Sequence, residues 1–402
     1  MKVLTMNRRH VLQAMGGLGA GALLTPRWLQ AAAAGAEEER ILVVVELSGG
    51  NDGLNTVVPY ADDAYYRHRP TLGIRPAELR KIDDHFGLNP GALGFERLWQ
   101  SGDLAIVHGC GYEQPSFSHF TSMAYWHTGA PHSGNRLGWL GRLADAMEPT
   151  PMANLLINIG SSQSLAVASA VHTPVVFDNP ARFQRDALPQ SQALMRSLAQ
   201  GTSVSRNATH EFLNSVAKSA VESSARIKRA AAAYNTPIDY GIAPMDLPKV
   251  AACIAAGLPS RLYHVSYRNN AFDTHVAQAD LHRRLLSYAC DGIHGFVRDM
   301  ERIGQAQRVV VLVYSEFGRR VPENSNQGTD HGSANLMFLA GKPVQGGHYG
   351  TPSDLTDLAD GDNLKYTTDF RRVYATAIDR WLQLGVSSQV LNGAFTTFDA
   401  FV

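Results

Sequence analysis

The sequence predicts an α/β fold: a mostly parallel central sheet with helices on both faces. Three observations carry that expectation. Four runs, Ile41–Leu47, Leu104–His108, Leu262–Tyr267 and Val309–Tyr314, are largely apolar and rich in β-branched residues. Such runs read as strands buried on both faces. Amphipathic helical patterns lie between them, and strands alternating with helices form parallel sheets. Each strong run also ends directly in a polar loop containing glycine or asparagine.

The elements follow in order along the chain. Residues 1–36 read as a signal peptide outside the fold. Asn7-Arg8-Arg9-His10-Val11-Leu12 is a twin-arginine pattern, followed by a glycine-rich apolar run and the small residues Ala31 to Ala36. The apolar run is too short and too glycine-rich to span a bilayer well. Export by the twin-arginine machinery, cleavage between Ala32 and Ala36, and a periplasmic or secreted destination are expected. No later segment reads as a membrane span. Residues 37–402 are then one domain. Leu155–Ile159 and Asn335–Leu339 are weaker strands. Helical patterns cover Phe120–His127, Gln192–Ala199, Glu211–Tyr234, Ala279–Ile303 and Asp369–Leu384, the last with Thr367 or Thr368 placed to cap it. The mostly helical stretch at about 171–259 reads as an insertion on the side of the sheet, or a lid.

Composition narrows the function. Lys plus Arg and Asp plus Glu both number 36, so the chain lacks the basic excess of a nucleic-acid binder. Three scattered cysteines allow one bridge at most and exclude a disulfide scaffold.

If the strong strands are parallel, the loops at their carboxyl ends meet on one rim, where open α/β sheets keep their sites. These loops are Ser48–Asn55, Gly109–Phe120, Arg268–His275 and Ser315–Gly332. They would gather Asp52, Ser118, His119, Asp273, His275, Glu316, Asp330 and His331, the oxygen and nitrogen donors of one or two divalent metal ions. Each loop also has a structural reading. Ser48–Asn55 reads equally as a turn needing positive φ, Ser118 as a helix N-cap, Glu316 with Arg319 as an ion pair, and Asp330-His331-Gly332 as a turn. A hydroxyl at a helix N-terminus also suits an oxyanion such as phosphate or sulfate.

At these residues the chain resembles the bacterial family known as domain of unknown function 1501. The carriers are Leu47 to Asn55, Ser118-His119-Phe120 with Trp126 to Gly129, Phe272-Asp273-Thr274-His275, Ser315-Glu316-Phe317-Gly318-Arg319, Asp330-His331-Gly332 and Thr368 to Arg371. The resemblance implies the alkaline phosphatase/sulfatase-like three-layer fold. It implies Asp52 as the acid after the first strand, Ser118 as a nucleophile at a helix N-terminus, and Asp273, His275, Glu316 and His331 as later ligands. This chain departs from that pattern by carrying Phe317 where a ligand histidine is expected and Glu316 in place of an aspartate. The expected function is a metal-dependent hydrolase of phosphate or sulfate esters using zinc, calcium or manganese. Asp52, Asp273, His275, Glu316, Asp330 and His331 would hold metal. Ser118 would attack, Arg319 would clamp the anion, and His119 or His331 would donate a proton. The rival expectation is a non-catalytic periplasmic binding or assembly protein on a degenerate fold of the same kind.

Overall fold

A computed structural model describes residues 39–181, 222–267 and 269–402. Residues 1–36, expected to be a signal peptide, and Gln192–Ala199 lie outside the described residues. Among the described residues a nine-stranded sheet organises the fold. In sequence its strands are β1 (Ile41–Leu47), β2 (Leu104–Gly111), β3 (Leu156–Ile159), β4 (Val175–Phe177), β5 (Leu262–Tyr267), β6 (Val309–Tyr314), β7 (Asn335–Ala340), β8 (Gly347–Tyr349) and β9 (Thr368–Asp369). They lie side by side in the order β8-β2-β7-β6-β1-β5-β3-β4, with β9 also paired to β2. All pairings are parallel except those of β7, which runs against both β6 and β2. The exception follows from the chain path. After β6 the backbone stays on the rim, through a hairpin pairing Gly318–Arg319 with His331–Gly332, so the next strand must start there and run back.

Alternation along β1 divides the core into two layers. Val43, Val45 and Leu47 face one cluster, and Leu42 and Val44 face the other. The helices Leu93–Gln100 (α1), Leu247–Ala255 (α4) and Gln278–Arg302 (α5) cover the first face. His119–Thr128 (α2), Trp139–Met147 (α3) and Arg371–Ala375 (α6) cover the second. The three layers and the mostly parallel sheet are those the sequence predicts.

Two elements differ from the sequence reading. The region 171–259 is more than a lateral insertion. Its beginning supplies the edge strand β4, and α4 near its end buries Val250, Ala251 and Ile254 in the core. Residues 222–233 within it are helical. The last long helix starts at Arg371 rather than Asp369, because Thr368 and Asp369 pair with Cys110 and Gly111 as a short strand. The N-cap is Phe370 rather than a threonine, and the Asp369 carboxylate before it accepts the Arg371 N–H at 2.9 Å. All three cysteines are buried and free.

Candidate metal centre at the strand ends

The loops after β1, β2, β5 and β6 meet, as the parallel strands require. The turn after β1 is the hub. Gly49 has φ +119°, and a Cβ there would sit 2.5 Å from the Asp273 nitrogen. Gly50 has φ +77°, and a Cβ there would sit 2.2 Å from the Phe317 ring. Only glycine lets the three loops close this tightly. The Gly49 N–H donates to both oxygens of Glu316, at 2.8 and 3.1 Å. The Phe272 N–H donates to the Ser48 carbonyl at 3.0 Å.

α2 brings in the loop after β2. Ser118 is its N-cap, is exposed, and makes no side-chain capping hydrogen bond. One turn on, the Ser122 hydroxyl donates to the Glu316 carbonyl at 2.5 Å and fixes the helix against the end of β6. His119, the first helical residue, then points at the hub. Its Nδ1 lies 2.8 Å from Glu316 Oε1. A carboxylate can only accept, so Nδ1 carries a proton, and in the neutral ring Nε2 keeps its lone pair. That Nε2 is buried and has no hydrogen-bond partner, although Asp273 Oδ2 is 3.4 Å away.

His331 repeats the arrangement. Its Nδ1 donates to the Phe117 carbonyl at 2.7 Å, which leaves its Nε2 lone pair 3.1 Å from Asp273 Oδ1. Lone pairs on two imidazoles facing one carboxylate repel unless a cation lies among them. His119, Asp273 and His331 offer donor atoms that all lie within 4.8 Å of one another, a spacing that suits one metal ion. His275 borders this group, with Nε2 2.9 Å from both Asp273 Oδ1 and His331 Nε2, and Nδ1 3.3 Å from Asp330 Oδ1. It therefore faces a carboxylate from each ring nitrogen. Phe317 is buried beneath the cluster, its ring centroid 4.9 Å from that of His119 and 4.6 Å from that of His331. It supplies an apolar wall, not a ligand.

The electrostatics follow. The hydrogen bond to Glu316 raises the His119 pKa, against the opposing effect of burial. Burial lowers that of His331. For Asp273, burial favours the neutral acid, but the hydrogen bond from Arg319 and the nearby His331 and His275 outweigh it and bring the pKa to about 2. Asp330 is also lowered, chiefly by its hydrogen bond from Asn324.

Three of the expected residues have other duties. Asp52 is turned away into the interior, where it pairs with Arg69 at 2.7 Å and accepts from Gln278 at 2.5 Å. It is not among the grouped donors, because the two glycines before it redirect the chain inward. Arg319 is fully buried. Its guanidinium donates to the carbonyls of Gly49, Gly50, Phe272 and Thr329 and to Asp273 Oδ1. It ties the loops together instead of facing solvent as an anion clamp. Both oxygens of Glu316 are engaged, by the Gly49 N–H and by His119 Nδ1. Asp330 stands behind His275, outside the group.

Among the described residues a second donor group, Glu46, His127 and His264, lies wholly buried under the sheet. The loop-based reading missed it. Glu46 and His264 are polar residues inside ILVVVEL and LYHVSY, runs otherwise read as buried, and that contradiction is the signal they offered.

An α/β fold with a histidine–carboxylate centre at the strand ends defines the class. The chain belongs to the family described as protein of unknown function DUF1501, whose sequence pattern matches residues 39–395. No curated protein matches the sequence. Similar solved structures include a sulfatase, PsFucS1, from Pseudoalteromonas sp., at 13% identity and TM-score 0.36, covering 92% of this chain and 73% of that one. A protein in the alkaline phosphatase superfamily from Vibrio parahaemolyticus aligns at 10% identity and TM-score 0.36, over 77% and 62% of the two chains. The C-terminal periplasmic domain of EcEptC from Escherichia coli, solved with zinc, aligns at 11% identity and TM-score 0.34, over 75% and 72%. Among the described residues no helix is long and apolar enough to cross a membrane.

Proposed function

We propose that this chain is an exported, metal-dependent hydrolase of phosphate or sulfate esters, directed out of the cytoplasm by its twin-arginine segment. The buried, unpartnered Nε2 of His119, converging with His331 Nε2 on Asp273, carries the reading. His119, Asp273 and His331 would hold a divalent ion, with zinc favoured by two imidazoles and a carboxylate. Such an ion, when bound, acts as a Lewis acid on an ester oxygen and lowers the pKa of a coordinated hydroxyl.

The remaining roles fall to the chain's own side chains. The Ser118 hydroxyl, exposed at the N-terminus of a ten-residue helix, is the nucleophile. The free N–H groups of that first turn face the ester's anionic oxygens. Glu316 holds His119 in the tautomer that leaves Nε2 open, as second partners of metal-binding histidines do. His275, bordered by Asp330 and Asp273, moves the leaving-group proton. With Arg319 spent on backbone carbonyls, the helix terminus takes over the anion binding expected of it.

A second reading, a non-catalytic periplasmic binding or assembly protein, draws on that same commitment of Arg319. One experiment separates the two. Purified folded protein is analysed for metal, and aryl phosphate and aryl sulfate turnover is measured for wild type and Ser118→Ala. The hydrolase reading expects a bound divalent ion and turnover that Ser118→Ala abolishes. A folded protein that neither retains an added divalent ion nor turns over either ester overturns it. A bound ion with no turnover supports the second reading.

A further inference from the structure

The helix that carries Ser118 and His119 at its start carries His127 in its last turn, eight residues or about 12 Å further along its axis. There it meets a polar group sealed inside the second core layer. Glu46 on β1 lies directly across from Tyr314 on β6 and Ser266 on β5 in the strand register. The Tyr314 hydroxyl donates to Glu46 Oε2 at 2.8 Å, and the Ser266 hydroxyl donates to Oε1 at 2.9 Å. His127 Nε2 is 2.5 Å from Glu46 Oε2. His264, two residues before Ser266 on the same strand, brings its Nε2 to 3.5 Å from the same oxygen.

His264 makes the group unusual. It is 1% exposed, and neither ring nitrogen has a hydrogen-bond partner. Glu46 already receives the Tyr314 and Ser266 hydroxyls and the His127 N–H, so nothing about Glu46 requires another histidine. An imidazole aimed at a carboxylate, buried and without a hydrogen bond, is an exception that calls for an unseen partner.

We propose that Glu46, His127 and His264 form a second, structural metal site, suited to zinc, which pins the C-terminal end of α2 to β1 and β5. The donor set is two imidazoles and one carboxylate, the nitrogen-rich combination zinc takes. The three donor atoms lie within 4.8 Å of one another. Bonds of about 2.0–2.1 Å in a tetrahedral site set neighbouring ligands roughly 3.3 Å apart, close to the 3.5 Å between His264 Nε2 and Glu46 Oε2. The shorter His127–Glu46 contact is a hydrogen bond that the ion replaces. His127 then carries its proton on Nδ1, where Ser164 Oγ lies 3.5 Å away, and no net proton is lost. The site is independent of the rim: it shares α2 with it but no ligand.

The test uses the full chain with the rim disabled by Asp273→Asn and His331→Ala. This double variant, stripped of metal, is titrated with Zn²⁺ against a chromophoric chelator and then with Co²⁺. The expected result is one tightly held equivalent and the visible d–d bands of a four-coordinate cobalt ion. Adding His264→Phe, which keeps the ring volume, is expected to weaken that binding at least 100-fold, the upper end for loss of a site's support. Should the His264→Phe chain not fold, Glu46→Gln replaces it, since the amide keeps the shape and can still accept from Tyr314 and Ser266. A rim-disabled protein that holds no ion overturns the proposal, as does an ion that survives loss of His264 or of the Glu46 charge. Wild type holding the same single ion as the double variant would sink the rim reading while leaving this one standing.

Discussion

Asp52 and Asp273 both stand just past the ends of central strands, yet their surroundings are opposite. Asp52 is fully buried and saturated: Arg69 and Gln278 hold one oxygen, and the Asn55 N–H donates to the other at 3.2 Å. Arg69 is saturated in turn, by Asp52, by Asn55 Oδ1 and by the carbonyls of Arg320 and Val321. Asp273 is half-buried and faces the Nε2 atoms of His119 and His331, of which that of His119 is unpartnered. One acid closes its network; the other stands beside a buried imidazole nitrogen, His119 Nε2, that has no hydrogen-bond partner. Proximity to a strand end therefore does not separate a saturated carboxylate from a candidate ligand; the unsatisfied partners do.

The largest expected effect comes from opening the closed network. Arg69→Leu strands Asp52 without its cation, and breaking a buried pair in this way costs about 3–5 kcal/mol. Urea denaturation should show that loss, while the surviving folded protein binds rim metal with unchanged stoichiometry. The pH dependence has a definite sign. Burial opposes ionisation of Asp52, but Arg69 and the neighbouring donors win, and its folded-state pKa lies below the usual value. Its ionisation therefore stabilises the fold above the unfolded pKa of about 3.9, and that stabilisation fades as pH falls through the lower folded value. The wild type should lose stability on acidification below about pH 4. In Arg69→Leu this acid-dependent portion should shrink, since the cation that favours the charged form is gone.

A smaller effect should come from the rim. Glu316→Gln retains a side chain of the same shape but removes the charge that holds His119. Loss of such a partner lowers metal affinity by about 10–100-fold. A purely structural role would not move the pH profile, whereas this one should. His119 must shed a proton to bind metal, and its hydrogen bond to Glu316 raises its pKa. Metal uptake by Glu316→Gln should therefore begin at lower pH than in wild type while reaching a weaker plateau. An unchanged midpoint would show that Glu316 serves only the Gly49 turn.

The sequence made the sheet legible because buried parallel strands are continuous apolar runs. Ile41–Leu47, Leu262–Tyr267 and Val309–Tyr314 have the boundaries their residues predict. Val175–Phe177, Gly347–Tyr349 and Thr368–Asp369 escaped notice because a strand of two or three residues at or near a sheet edge carries no periodicity. The meeting of the four loops was legible too, since parallel strands dictate it. The direction of each side chain within a loop was not. Asn51 and Asp52 turn inward because Gly49 and Gly50 adopt positive φ, and Asn51 ends 2.9 Å from His282 Nε2. Nothing in SGGND specifies that reversal without the Phe317 ring and the Asp273 backbone against which it packs.

The smallest effect tests the edge of the rim. The side chains of Asp330 and His275 are 48% and 37% exposed, and they meet at 3.3 Å. Pairs this open to water contribute about 0–1 kcal/mol, so Asp330→Asn should leave denaturation midpoints nearly unchanged. Metal affinity should also hold, because Asp330 lies outside the group formed by His119, Asp273 and His331. If His275 moves the leaving-group proton, however, Asp330→Asn should change turnover where it does not change binding: kcat falls, KM and metal content stay, and the loss is smaller for esters whose leaving groups need no proton. A parallel drop in metal affinity would instead make Asp330 and His275 part of the ligand set, drawing the boundary between the open and the saturated network one residue further out.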